Sequence, residues 1–274
     1  MNIIEFSRYD EPGPDIFSEL LLREHLNEDT RDSEYLIVAG ESDLERILDS
    51  SCKRPESAVV DISLLESPEI VELLNRCGDI PVYTANLAVT GLNETYYPEP
   101  NIFTLFRKPE LKSPEELCKN ARRICVMERA LVPNNMFGAI RNGISLGIDA
   151  VLLTHDCNDI QARRGVRDFG AVLFRDVWTI LPPVDDLVGY LHGLGFKTVG
   201  MTLSEDSVTP KDPGLRSEER LAIIMGNEHD GLKRETEINC DYKVFIPINR
   251  SIDSLNVSKA ATIAFYELGK VDDE

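Results

Sequence analysis

Short apolar runs alternate with amphipathic stretches along most of the chain, the pattern of an α/β fold. Residues 34–40 (EYLIVAG) predict a strand, followed by an amphipathic helix with Leu44, Ile47 and Leu48 on one face. SAVVDIS near 60 and DIPVYTA near 83 predict further strands. The loop NETYYPEPN and the segment holding Phe103, Leu105 and Phe106 close a small α/β domain. A helix from Ser113 or Pro114 to about Asn120 then leads into a second half. There RICVMERAL, AVLLT, AVLFRD, KTVGMTL, LAIIM and KVFIPI are strand candidates, and runs near 138–147, 160–168, 184–193, 231–237 and 255–268 are helical. The expectation is a smaller N-terminal α/β domain over 1–112, a linker helix over 113–121, and a mostly parallel sheet with helices on both faces over 122–274. The polar stretch 204–220 reads as an exposed loop.

Composition narrows the function classes. No apolar stretch approaches membrane-spanning length, and the start MNIIEFSRYDEPGPD has neither a basic nor an apolar leader region, so a soluble cytoplasmic protein is expected. The six cysteines are scattered, without a C-x-x-C or a close histidine pair, which predicts reduced thiols and no metal site. His155, Asp156 and Cys157 adjoin, but after AVLLT they read as a polar loop at a strand end. The net charge of −19 argues against indiscriminate binding to nucleic acid, DNA included. Residues 1–120 carry a net −14 and residues 121–274 a net −5, so most of the excess acid is N-terminal.

Among nucleotide-binding motifs, the glycines of GLGFKTVG lie between a helix and a strand, the wrong order for a dinucleotide loop. The G-x-x-x-x-G-K-[ST] and G-x-S-x-G patterns are absent. Three polar clusters remain, each at a turn between an apolar strand and a helical run: Asn135 to Arg141, Gly226 to Leu232 and Ile246 to Ser258. Their polar side chains are costly to bury without partners, so three such clusters at strand ends predict a shared ligand site.

In order and spacing the clusters resemble the signature of the SpoU/TrmH family of RNA ribose methyltransferases, within the SPOUT superfamily. Asn135 and Arg141 have the separation of the family's first motif and continue into SLGIDAVLL. LAIIM followed by Gly226, Asn227, Glu228, Gly231 and Leu232 matches the second. Ile246, Pro247, Ser254, Leu255, Asn256, Val257, Ser258 and Ala260 match the third. More weakly, IVAGESDLERIL resembles the family's N-terminal substrate-binding domain, an α/β fold similar to certain ribosomal proteins. Phe137 departs from the pattern, standing where the family has glycine, beside Gly138. Either the backbone is rearranged there or an aromatic edge enters the substrate pocket.

The resemblance implies a deep trefoil knot, a homodimer through the knotted domain, and S-adenosyl-L-methionine held largely by main-chain groups. Leu203, Met225, Gly226, Asn227, Gly231, Ile246, Ile248, Leu255 and Asn256 would hold the cofactor. The implied reaction is methyl transfer to a ribose 2′-hydroxyl of tRNA or rRNA, with Arg141, Asn135, Glu228, Ser254 and Asn256 as the catalytic set. Arg141 would position the hydroxyl and stabilise charge, because a guanidinium with a pKa above about 12 is a very poor base. Arg163, Arg164 and Arg167, with Arg175 beyond them, form a local basic face that would contact RNA phosphates, a solvated helix face being the alternative. Plainer readings stand beside these. Asn256 with Ser254 could cap the last helix, Glu228 could satisfy backbone amides, and Arg141 could be a solvated side chain. A different class, an inactive knotted RNA- or cofactor-binding protein, is motivated by Phe137 and the acidic N-terminal half.

Overall fold

The computed structural model describes residues 1–25, 28–50, 53–87, 102–161, 170–204, 206–249 and 254–271. They fall into two compact units. One is Met1–Glu110 with Asp159–Arg175, the other Leu111–Asn158 with Asp176–Glu274. The first unit thus takes in a stretch, Asp159–Arg175, that chain position alone assigns to the C-terminal domain.

The N-terminal unit runs β1 (Asn2–Glu5), α1 (Asp15–His25), β2 (Tyr35–Ala39), α2 (Glu41–Ser50), β3 (Ser57–Asp61), a 3₁₀ turn, α3 (Pro68–Arg76), β4 (Pro81–Ala85) and β5 (Ile102–Arg107). Its sheet has the order β1-β4-β3-β5-β2, with β5 antiparallel to both β2 and β3. Phe17, Leu21, Ile37, Val59 and Phe103 form its core. Start signals explain α3: Ser67 Oγ accepts from the Ile70 amide and Pro68 occupies the first turn.

The C-terminal unit begins with α4 (Pro114–Cys118), capped by Ser113, then β6 (Arg123–Met127), α5 (Pro133–Ser145) and β7 (Ala150–Leu153). After α6 (Gly170–Leu173), which belongs to the first unit, come β8 (Trp178–Ile180), α7 (Leu187–Gly193), β9 (Lys197–Met201), α8 (Pro213–Ser217), β10 (Leu221–Met225), α9 (Arg234–Asn239), β11 (Tyr242–Val244) and α10 (Val257–Leu268). The sheet order is β11-β9-β10-β6-β7-β8, and every pairing is parallel. Strands β6, β7 and β10 are buried along their whole length, as parallel strands covered on both faces must be. Ile124, Val126, Leu152, Leu191 and Ile224 form the core.

Two sequence expectations need correction. AVLFRD is not a strand: its Ala171, Val172 and Leu173 lie in α6, which packs on α2, and the next residue, Phe174, has its ring 5.2 Å from that of Phe106. The sixth strand is Trp178–Ile180. The 204–220 stretch is not loop throughout, since Asp212 caps α8 and Leu215 is wholly buried. The expected helix near 160–168 falls almost entirely outside the described residues, as do Arg163, Arg164 and Arg167.

The chain leaves β6 toward β7 and β8 on one side and returns to β9 and β10 on the other. The order reverses between β6 and β10, and a parallel sheet opens its ligand crevice beyond the C-terminal strand ends at such a point.

Candidate active site

Beyond the C-terminal ends of β9, β10 and β11 lies a cavity of about 490 Å³, within the usual range for small-molecule sites. Its walls include Leu203, Met225, Gly226, Asn227, Gly231, Ile246, Ile248, Leu255 and Asn256, together with Glu228 and Ser254. All nine predicted cofactor residues therefore share one cavity. Met201, Thr202, His229, Asp230, Leu232, Glu237, Val257 and Ala260 complete the lining; Leu232, Val257 and Ala260 are motif residues, His229 and Asp230 lie inside the second motif, and Glu237 carried no signal in sequence. Among the described residues the lining holds the carboxylates of Glu228, Asp230 and Glu237 but no Lys or Arg.

The loop after β10 is held by its own side chains. Asn227 and Gly231 exchange backbone hydrogen bonds of 2.9 and 3.0 Å. Asn227 Oδ1 accepts from the His229 amide at 2.8 Å, and its Nδ2 donates to the Arg129 carbonyl at 2.7 Å. A Cβ on Gly226 would lie 2.2 Å from both the Gly231 carbonyl carbon and the Leu232 amide nitrogen. Only glycine lets the two backbone segments approach this closely.

Asn135 joins the three clusters. Its Nδ2 donates to Glu228 Oε1 at 2.9 Å, and its Oδ1 accepts from Asn256 Nδ2 at 3.1 Å. Glu228 Oε2 accepts the Leu131 amide at 2.9 Å, and Oε1 also accepts the Val132 amide at 3.2 Å; both amides precede the first turn of α5. Val132, at the N-cap of α5, supplies no side-chain cap, so this carboxylate fills that role from another loop. Burial pushes the Glu228 carboxyl up, but the bonds from Asn135, Leu131 and Val132 outweigh it and hold the group below its ordinary value. Glu228 is thus an ionised brace, unsuited to serve as a general base at neutral pH. Asn256 Oδ1 caps α10, accepting from Ser258 at 3.0 Å and Lys259 at 3.4 Å. The plain readings of Asn256 as a cap and Glu228 as a partner for amides are both right, and the same bonds assemble the site.

Arg141 is exposed, lies on α5 six residues beyond Asn135, and is not part of the cavity wall. Phe137 does not intrude on the pocket. It is wholly buried in an unbroken helix and is absent from the lining. The next residue, Gly138, makes the close approach, since a Cβ there would fall 2.2 Å from Ser258 Oγ. In the loop after β7, Asp156 accepts from Thr154 at 2.6 Å and Lys233 at 3.1 Å, and Cys157 donates to the Met127 carbonyl at 3.3 Å. The described cysteines are free thiols, and burial pushes Cys118 up to about 11.

Residues 122–266, more than half of the chain, match the family model described as the SpoU rRNA Methylase family. An uncharacterized tRNA/rRNA methyltransferase of Mycobacterium bovis is 29% identical over 201 residues, 68% of this chain and 65% of that protein. A 23S rRNA (guanosine-2′-O-)-methyltransferase of Acinetobacter baylyi is 30% identical over 148 residues, 53% of this chain and 58% of that protein. The chain spans less than two thirds of the length of these curated relatives. An AdoMet-bound rRNA methyltransferase from Sinorhizobium meliloti shares the fold with a TM-score of 0.74 at 17% identity, over 97% of each chain.

Proposed function

The chain belongs to the SpoU rRNA Methylase family, and on that premise we propose that it is an S-adenosyl-L-methionine-dependent RNA 2′-O-methyltransferase acting on rRNA or tRNA. One observation carries the reading: a single cavity collects the nine residues expected to hold the cofactor, and hydrogen bonds through Asn135 tie it to the helix bearing Arg141. The lining also fits the group chemically. Apolar walls at Leu203, Ile246 and Leu255 suit an adenine, a backbone-lined edge at 226–231 suits its polar rim, and three carboxylates without a Lys or Arg suit a sulfonium cation better than an anion.

When bound, the cofactor supplies an electrophilic methyl group. The chain's own residues supply alignment and charge. The ribose 2′-oxygen must lie in line with the methyl carbon as its proton leaves, so positioning is the main contribution. Asn135 and Asn256, fixed by each other and by Glu228, present rigid amides beside the cavity for the ribose. Arg141 holds the hydroxyl and compensates developing negative charge, with an RNA phosphate or water taking the proton. Ser254 shapes the wall nearest Asn256.

The same reading includes a trefoil knot to which the third motif contributes, and a homodimer through this unit. The exposed apolar side chains of Ile263 and Tyr266 on α10 support such a pairing, which supplies residues across the interface. The N-terminal unit would recognise RNA shape, with Arg163, Arg164 and Arg167 meeting phosphates. A cytoplasmic location accompanies this role. The inactive-binder reading drew on Phe137 and on the acidic N-terminal half, and the burial of Phe137 away from the cavity removes the first of these motives.

Equilibrium titration of the purified protein with S-adenosyl-L-methionine tests the proposal, with Leu255→Arg to fill the cavity and add a cation. Saturable binding lost in the variant, followed by methyl transfer to total RNA, is expected. Binding without any transfer would favour the inactive binder, and no binding would reject the site.

A further inference from the structure

Two arginines of the C-terminal unit, buried Arg123 and half-buried Arg220, are held by backbone carbonyls at each of their three nitrogens. Arg123 donates from Nε to Leu268, from Nη1 to Arg122 and Glu219, and from Nη2 to Glu218, all within 2.9 Å. Arg220 donates to Ala121, Leu194 and Cys118, also within 2.9 Å. These are structural arginines, with their forks closed by the fold.

Arg129 differs. It follows β6 at the point where the sheet order reverses, and is the one non-glycine with positive φ among the described residues, at 55°. Its Nε is buried without a hydrogen-bond partner. Nη2 has only a 3.4 Å contact with the Gly231 carbonyl, and Nη1 lies 4.0 Å from Asp230 Oδ2, on a carboxylate that is 74% exposed. An exposed pair at that distance contributes little. Backbone strain together with an unfilled guanidinium fork, beside the loop that walls the cavity, marks a functional position. The backbone of Arg129 is fully used, its amide donating to Thr154 Oγ1 at 2.9 Å and its carbonyl accepting from Asn227. These bonds fix where the side chain begins.

We propose that Arg129 is a substrate-positioning residue whose guanidinium grips a phosphodiester of the RNA strand at the rim of the cavity. The inference rests on the RNA methyltransferase reading and deepens it. The fork geometry matches paired phosphate oxygens. Arg129 lies outside the cavity wall, which collects carboxylates and suits a cation, so the anion it meets belongs to the strand beyond. On a chain of net charge −19, a strand can be held beside the cavity only by cations placed locally.

The test compares wild type with Arg129→Gln, Arg129→Lys and Arg129→Gly, the last accepting positive φ without strain. Binding of labelled ribosomal RNA fragments is measured across a salt series, and S-adenosyl-L-methionine binding is measured separately. The expected result for Gln and Gly is about tenfold weaker RNA binding and a salt slope shallower by about one, with cofactor affinity unchanged. Lys should restore the slope but only part of the affinity. An unchanged slope in Gln and Gly, with wild type binding RNA and transferring methyl groups, overturns this inference alone. Loss of cofactor affinity with RNA binding intact also overturns it, assigning the fork to the cofactor's carboxylate. Wild type that neither binds RNA nor transfers methyl groups overturns the underlying reading as well.

Discussion

Asn135 and Glu228, 93 positions apart in sequence, meet through a 2.9 Å hydrogen bond from amide to carboxylate. The bond has a direction: Asn135 must donate there to leave its carbonyl free for Asn256 Nδ2. Replacing Asn135 by Asp would oppose two carboxylates and leave the Asn256 amide to an altered partner. Asn135→Asp should lose about 1–3 kcal/mol of stability, the cost of breaking a partly buried charged hydrogen bond, and should weaken cofactor binding. Urea denaturation and cofactor titration of the variant check both effects.

Glu228 sets a pH dependence. Its carboxyl is held below the ordinary value of 4.5, so its contribution to stability is complete above that value and is lost as pH falls through the lower folded-state value. Glu228→Gln should therefore be less stable than wild type near neutral pH, and the gap should shrink on acidification below about pH 4.5. Denaturation midpoints of the two proteins across an acid series measure this. A gap independent of pH would remove the ionised brace.

Gly226 has no space for a side chain, since the nearest obstacles are backbone atoms at 2.2 Å. Gly226→Ala should force the 226–231 loop apart and cost about 2–4 kcal/mol, with loss of cofactor binding. Thermal unfolding with and without S-adenosyl-L-methionine is the check, and the variant should lose any ligand-induced rise in Tm.

Phe137 gives the opposite signature. As a wholly buried side chain off the cavity, its truncation to Ala should cost about 3–5 kcal/mol while leaving cofactor affinity unchanged in the protein that remains folded. Tighter or faster substrate handling by Phe137→Ala would show that the ring obstructs the site after all.

Most of the C-terminal sheet could be read from the chain because parallel strands buried on both faces are continuous apolar runs, as in LAIIM and AVLL. AVLFRD misled for the same reason: four apolar residues have no period to distinguish strand from helix, and α6 is placed by its packing on α2. The true edge strand, Trp178–Ile180, is too short to show a pattern. The motif residues were legible as a group because spacing and order survive in sequence. Bonds that join residues about a hundred positions apart do not, so the bracing of Asn135 and the open fork of Arg129 emerged only in three dimensions.

The chemical identity of the methylated product tests the proposed reaction most directly. Total RNA is incubated with the protein and methyl-labelled S-adenosyl-L-methionine, digested to nucleosides and separated, with Arg141→Ala run in parallel. Label is expected in a 2′-O-methylribonucleoside, reduced about 100-fold in Arg141→Ala while that variant still binds cofactor. Label confined to base-methylated nucleosides, equal transfer by Arg141→Ala, or no transfer at all would contradict the proposal.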